Sequence, residues 1–445
     1  MRFYLLQSKI NGIKSIDKEI TIDYYNNTVT KELDIMNNHV KAIYGPNGAG
    51  KTGIVYAMEI YKNLCLDSSY LIIVNSNGSL RNFINQNDKL LIENTFSILK
   101  DDNINDGIYK HRIVLSYVNG QFEIEEEYFA KLSGNKINSL DKYNIIFEIK
   151  NGEIVNLDKR IINSNLIKES TKNLLKQKTV LTAIIDSGIL KDTDDYFKKQ
   201  FLYLLVFNIS LVIVLNDSDK PYINKERFVS LINQFSKAWD DVNNDDLFKK
   251  LFDSNKIIDN YNKKIKKDEL DTYKKRIKNT AEFIKVFKND LVDIEVKTYE
   301  NGDYYECENI MIYENGSRVN LRFESTGIKK IIELYEALSR VEKGDIVFID
   351  EFDANLHDVL LMKIVEYILN YSKGQFIFTI HNMAPMDLLQ YKKHGIDFLS
   401  PNSRIVPWAK NGNYKAASLY RQGFIEYSPF NIEAFSFLGK FGDDN

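Results

Sequence analysis

Apolar residues alternate with polar ones in some stretches of the chain and recur every three or four positions in others. Segments 2–8 and 19–24 have strand character, and 39–44 is a short apolar strand running into a glycine-rich turn. Beyond the turn, helical spacing over 53–64 places Ile54, Ala57, Met58 and Tyr61 on one face. A second β-rich block follows at 91–99, 108–118, 121–128 and 143–149, with Asn119-Gly120 predicting a hairpin between two of its runs. From 156 to 290 the pattern turns helical and charged, with few glycines or prolines, which predicts an inserted helical region. The β character returns at 291–299, 304–313 and 318–323. A helix over 328–341, an apolar strand at 346–349, a helix over 359–371 and a strand at 376–380 then predict a parallel βαβ arrangement with its strand C-termini on one edge. The glycine-rich turn also leaves a strand C-terminus, so a ligand is expected along that edge.

Composition narrows the picture only a little. A chain of 445 residues with 44% hydrophobic and 27% charged positions is long enough for a large core in two or three domains. Its formal net charge of -3 gives no global field for nucleic acid, so any such binding needs a local patch. The one basic stretch is 249–288, which includes Lys263, Lys264, Lys266, Lys267, Lys274, Lys275 and Arg276. It reads either as a solvated helix face or as a surface for nucleic acid or an acidic partner. Cys65 and Cys307 form no C-x-x-C pair, so neither a disulfide framework nor a zinc site is expected, and a reducing cytoplasm fits. The polar residues just after Met1-Arg2-Phe3-Tyr4-Leu5-Leu6 do not suit a signal peptide. The uncharged stretch 201–215 is too short to span a bilayer and is expected to be a buried or interface helix, with no membrane partner.

The chemistry concentrates in four places. Gly45-Pro46-Asn47-Gly48-Ala49-Gly50-Lys51-Thr52 matches the phosphate-loop pattern G-x-x-x-x-G-K-[ST] in full, between a strand and a helix as that pattern requires. In such a loop the N–H groups of Asn47, Gly48, Ala49 and Gly50 wrap a β-phosphate, Lys51 bridges β- and γ-phosphates, and Thr52 ligates Mg²⁺. Ile346-Val347-Phe348-Ile349-Asp350-Glu351 is an apolar strand delivering two carboxylates at its tip, Asp350 for Mg²⁺ and Glu351 as general base for the attacking water. His381 closes the next strand, where a lone histidine is either structural or, beside the Asp-Glu strand, a γ-phosphate sensor. Ser325, Thr326 and Gly327 open a helix, a position that serves equally as a simple cap or as an anion site.

In this order and spacing the four elements resemble the head of the ABC-type ATPases, a group that includes the SMC, RecF and RecN proteins and the OLD-like ATPases of prokaryotic defence. Lys9-Ile10-Asn11-Gly12-Ile13-Lys14-Ser15-Ile16 looks like that group's opening strand and turn near the adenine. The resemblance covers roughly 1–150 and 290–445. It implies an α/β fold: a mixed N-terminal β lobe (1–155), a helical insertion (156–290) and a parallel-sheet C-terminal lobe (291–445). It also implies ATP as substrate with Mg²⁺, catalytic Glu351 and His381, Ser325, Thr326 and Gly327 acting in trans on a second copy, and a D-loop at Ala354-Asn355-Leu356-His357. Three departures stand out. The signature turn lacks the Leu-Ser-Gly-Gly-Gln of transporters, Asp358 stands where the group often has proline, and Gln86 is a weak candidate for the Q-loop glutamine.

Within the group, the segments 324–330, 350–357, 375–382 and 435–442 are most similar to ATPases of abortive-infection and related anti-phage systems. That likeness implies the ATPase subunit of a PARIS-like two-component system, responding to a phage-derived trigger and holding or releasing a separate effector. The residues after His381 are too few for the TOPRIM domain that OLD proteins carry there, so any nuclease is expected on another chain. The other expectation is a DNA-maintenance ATPase of RecF or SMC type that binds DNA directly.

Overall fold

The computed structural model describes residues 1–86, 88–100, 103–215, 263–354, 356–409, 414–425 and 428. The chain divides into two compact units, the larger made of 1–253 and 341–445 and the smaller of 254–340.

The larger unit holds two sheets. One is antiparallel, built from β1 (Arg2–Asn11), β2 (Ile20–Asp23), β4 (Lys89–Leu99), β5 (Asn105–Val118), β6 (Gln121–Leu132), β7 (Tyr143–Lys150) and β8 (Glu153–Leu157), in the order β2-β1-β4-β5-β6-β7-β8. The β5–β6 turn has Asn119 and Gly120 both at positive φ (51° and 86°), the pairing that matches a tight hairpin to strand twist. Strand β6 turns Phe122 and Ile124 into the unit's main core with the half-buried Glu123 and Glu125 between and beyond them, while Ala130 and Leu132 pack into a separate cluster.

The second sheet runs β17-β16-β3-β15-β14-β9, from β3 (Val40–Tyr44), β9 (Leu211–Val214), β14 (Ile346–Ile349), β15 (Gln375–Thr379), β16 (Ile396–Ser400) and β17 (Arg404–Pro407). Every pairing is parallel except β16–β17. Strand β14 reads as an unbroken apolar run because it is covered on both faces; all four of its residues are buried. One core joins the two sheets through the helices Lys51–Leu66, Val180–Ser187 and Asp195–Ser210, with Phe96 of β4 stacked on Phe207 at 3.8 Å between ring centroids.

The smaller unit has its own sheet of β10 (Lys263–Lys266), β11 (Leu291–Asn301), β12 (Tyr304–Tyr313) and β13 (Arg318–Asn320), all antiparallel. Tyr273, Ile277 and Ile284 of the helix Leu270–Lys285 pack on it together with Ile328 and Ile332.

The division therefore differs from the three consecutive segments expected. Strands of 291–323 pair among themselves and not with β14, so they belong to the smaller unit, and 156–290 is not a uniform helical insertion. Within the stretch 201–215, a buried helix ends at Ser210 and Leu211–Val214 continues as a strand that pairs with β14. A short apolar run looks the same in a buried helix and in a buried strand; the β-branched Val212, Ile213 and Val214 are what tip this one. No helix among the described residues is long and apolar enough to cross a membrane.

Candidate functional site

Three loops leave the same edge of the parallel sheet. β15 lies between β3 and β14, so the loop after Tyr44, the turn after Ile349 and the segment after Thr379 emerge side by side.

The first loop is 45–52. Gly45 passes so close to β16 that a Cβ there would meet the carbonyl oxygen of Leu399 at 2.4 Å. Gly50 sits at φ 105° before the helix Lys51–Leu66, a conformation natural only to glycine. No side chain caps that helix and its first turn carries no acid, so the positive end of its dipole faces the loop. Asn47 and Gly48 are exposed, Ala49 and Gly50 are buried, and Thr52 is half-buried in the first turn.

Lys51 is 7% exposed and donates from Nζ to the carbonyls of Gly45 (2.6 Å) and Pro46 (3.1 Å). Burial pushes its pKa below the ordinary lysine value, while the carboxylates of Asp350, Glu351 and Asp353 pull it back up. That opposition puts the predicted phosphate loop and the Asp-Glu tip within one electrostatic field.

The second loop begins at Asp350, which is buried, and whose backbone N–H donates to Val214 of β9 at 2.9 Å. Thr379 organises the acids: its Oγ1 donates to Asp350 Oδ1 at 2.5 Å and accepts from the Glu351 N–H at 2.8 Å, while its carbonyl accepts from the Phe352 N–H at 3.0 Å. Glu351 has φ 49°, in the left-handed region that non-glycine residues enter at a cost of about 1–2 kcal/mol. Backbone strain of this kind concentrates where a side chain must be aimed.

The third loop carries His381, exposed at the surface. Its backbone N–H and that of Asn382 both donate to Asp353 Oδ2, at 3.1 and 2.8 Å. Asn382 in turn donates from Nδ2 to Asp358 Oδ1 at 2.6 Å and accepts from the Ala384 N–H at 2.9 Å. Asp358 opens the helix Asp358–Tyr371, and His357 is the exposed residue just before it.

The edge thus gathers Asn47, Gly48, Ala49, Gly50, Lys51 and Thr52 with Asp350, Glu351 and His381. Asn355 lies outside the described residues, as do the segments 249–262 and 435–442. Gln86 is exposed on the turn before β4. Ser325, Thr326 and Gly327 lie in the smaller unit, where Ser325 Oγ accepts from the Ile328 N–H at 3.4 Å, so the capping use of that turn is made. Beside it Tyr313 donates to Glu324, and a cavity of about 450 Å³ is lined by Lys288, Tyr313, Ser317, Glu324 and Ser325.

Thr379 and Asp353 had no place in the predicted site. The signal for Thr379 is a hydroxyl ending the otherwise apolar Phe376-Ile377-Phe378. For Asp353 it is a third acid within four residues of Asp350.

The family model described as "AAA domain, putative AbiEii toxin, Type IV TA system" matches residues 205–387, which include β9, β14, β15, Asp350, Glu351 and His381 but not the glycine-rich loop. Comparison with curated proteins gives no match. Among solved structures, the chain is similar to the Smc head domain with an extended coiled coil bound to the C-terminal domain of ScpA from Pyrococcus furiosus. That likeness has 14% identity, 91% of this chain and 96% of the other covered, and a TM-score of 0.42. The Smc head domain with a coiled coil and joint from Pyrococcus yayanosii is similar at 14% identity, 91% and 97% coverage and a TM-score of 0.38. Residues 205–387 are thus similar to that family model, within a chain of mixed α/β fold.

Proposed function

We propose that the chain binds and hydrolyses ATP at the sheet edge formed by 45–52, Asp350, Glu351 and His381. The observation that carries this reading is Lys51, held in a glycine-rich turn at an uncapped helix N-terminus within the field of Asp350, Glu351 and Asp353. Backbone N–H groups of Asn47, Gly48, Ala49 and Gly50 would take the phosphates, Glu351 would polarise the attacking water, and His381 would contact the γ-phosphate. The donor set fits Mg²⁺. The Thr52 hydroxyl and the buried Asp350 carboxylate are hard oxygen ligands, and Mg²⁺ usually takes one or two such groups and fills its sphere with phosphate oxygens and water. Bound there, Mg²⁺ would neutralise charge on the transferring phosphoryl group.

The biological setting we propose is the ATPase subunit of an anti-phage, abortive-infection system in the cytoplasm; the AbiEii-type match over residues 205–387 supports the abortive-infection part of that reading. In this reading ATP closes two copies together, with Ser325, Thr326 and Gly327 of one reaching the nucleotide of the other and the D-loop residues Asn355 and His357 at the junction. Closure then holds or releases a separate effector, a TOPRIM-type nuclease, in response to a phage-derived trigger. A second reading, a DNA-maintenance ATPase of RecF or SMC type, is favoured by Lys274, Lys275 and Lys278, exposed on the helix Leu270–Lys285.

Glu351→Gln should retain ATP, lose about 10³-fold in turnover and accumulate dimers, while Lys51→Ala should lose nucleotide. Wild-type turnover in Glu351→Gln would remove Glu351 as the base. Affinity purification of Glu351→Gln with ATP from the native host separates the two settings. A nuclease or toxin in fixed ratio supports defence; chromosomal DNA bound in a salt-sensitive way supports the second reading.

A further inference from the structure

We infer that Asp353 is a positioning residue which ties the His381 segment to the Glu351 turn through a single carboxylate oxygen; this inference rests on the proposed ATPase site. Asp353 lies two residues past Glu351, in the turn closed by the Ala354 N–H donating to the Glu351 carbonyl at 2.9 Å. From there Oδ2 accepts from two consecutive backbone N–H groups, His381 at 3.1 Å and Asn382 at 2.8 Å. Two consecutive N–H groups converging on one side-chain oxygen tie the two loops together at a single acceptor.

The clamp acts where it is needed. The strand β15 ends at Thr379, and beyond it only the Ile380 N–H still reaches β3, at the Ile43 carbonyl (3.2 Å), so the sheet stops fixing the backbone just before His381. Thr379 already locks Asp350 and Glu351 from the β15 side, and Asp353 returns the tie from the β14 side. The two loops are thereby cross-linked in both directions, and any movement of Glu351 is passed to His381. Asp358 adds a second hold on Asn382 at 2.6 Å. Asp353 itself need touch no substrate; it works by fixing where the His381 ring starts from.

The acceptor, not the charge, is the essential property, which separates this role from a direct electrostatic one on Lys51. Asp353→Asn keeps an oxygen for the two N–H groups and removes the charge; Asp353→Ala removes both. Asp353→Ala should lower kcat about 10–100-fold with KM for ATP within about threefold, because a misplaced catalytic group costs turnover more than binding. Asp353→Asn should stay within about threefold of wild type. Asp353→Ala combined with His381→Ala should be no slower than His381→Ala alone. Hydrogen exchange at the His381 and Asn382 amides, read without nucleotide, should speed up about tenfold in Asp353→Ala and not in Asp353→Asn. Unchanged exchange in Asp353→Ala overturns the clamp whatever the turnover, and an Asp353→Asn enzyme as slow as Asp353→Ala overturns the acceptor role. Lys51→Ala hydrolysing at the wild-type rate would instead sink the ATPase reading, while exchange still decides whether Asp353 holds the loop.

Discussion

The edge of the parallel sheet and the helix-covered face of the antiparallel sheet use the same kinds of side chain to opposite ends. Where the antiparallel sheet packs against its helices, Tyr61 of the helix Lys51–Leu66 and His111 Nδ1 of β5 are 2.6 Å apart, His111 Nε2 meets Glu127 Oε1 of β6 at 3.1 Å, and Glu127 Oε2 accepts from the Val180 N–H at 2.8 Å. A tyrosine, a histidine and a glutamate in series resemble a catalytic relay. Yet each is essentially inaccessible to solvent, and the chain's last acceptor is spent on the N-terminus of the helix Val180–Ser187. At the parallel-sheet edge the acids and His381 are held mostly by backbone N–H groups and Thr379, and Glu351 and His381 reach solvent. The lesson is that a polar cluster becomes a candidate site when its members are fixed by the backbone and open to a ligand, and becomes scaffold when they satisfy one another.

The largest effect expected on the scaffold side is at Lys41. Its Nζ donates to Asp397 Oδ2 at 2.6 Å, joining β3 and β16, with both side chains only 2% exposed. Lys41→Ala should destabilise by about 3–5 kcal/mol, because it leaves a buried carboxylate without its partner. Pairing Lys41→Met with Asp397→Leu should recover most of that loss in denaturant unfolding. If Lys41→Ala unfolds like the wild type, the pair is not a scaffold element and the contrast drawn with the edge fails.

His111→Phe should have a middling effect. The ring volume is kept while Tyr61 and Glu127 lose their common partner, which should cost about 2–3 kcal/mol. ATP turnover of the folded fraction should be unchanged. Loss of turnover at an unchanged melting temperature would move this network from scaffold to site.

How much of this was legible follows the same divide. The glycine-rich loop, the strand Ile346–Ile349 and the order of the βαβ elements were readable because their chemistry is local: each is a contiguous run whose composition dictates its backbone. β16 was not predicted, because Asp397 interrupts its apolar run and makes sense only beside Lys41, far away in sequence. β9 was absorbed into a helix because its apolar residues follow those of Asp195–Ser210 without a break. The boundary of the smaller unit escaped because which strands pair is a long-range choice that periodicity does not record. At the site, residue types were legible and their orientation was not. Neither the left-handed backbone of Glu351 nor the two N–H groups converging on Asp353 leaves a mark in composition.

The smallest effect lies at His394, just before β16. Burial first, then the charge of Lys41, pushes its pKa down from the usual value to about 4, with Asp23 pulling the other way and Lys393 adding to the depression. In the unfolded chain the same histidine titrates near 6.5. Between those values the unfolded state binds a proton that the folded state does not, so stability should fall as pH drops below about 6.5 and be flat above it. His394 is only partly buried, so after solvent screening the loss by pH 5.5 should be about 1 kcal/mol, or one to two degrees in melting temperature. The window from 7 to 5.5 keeps clear of most carboxylate titration. His394→Gln, which preserves a donor toward Asn26, 3.3 Å from His394 Nε2, should remove that part of the slope. An unaltered slope in His394→Gln would mean the proton is taken up elsewhere, and the ring beside Lys41 would then be a spectator.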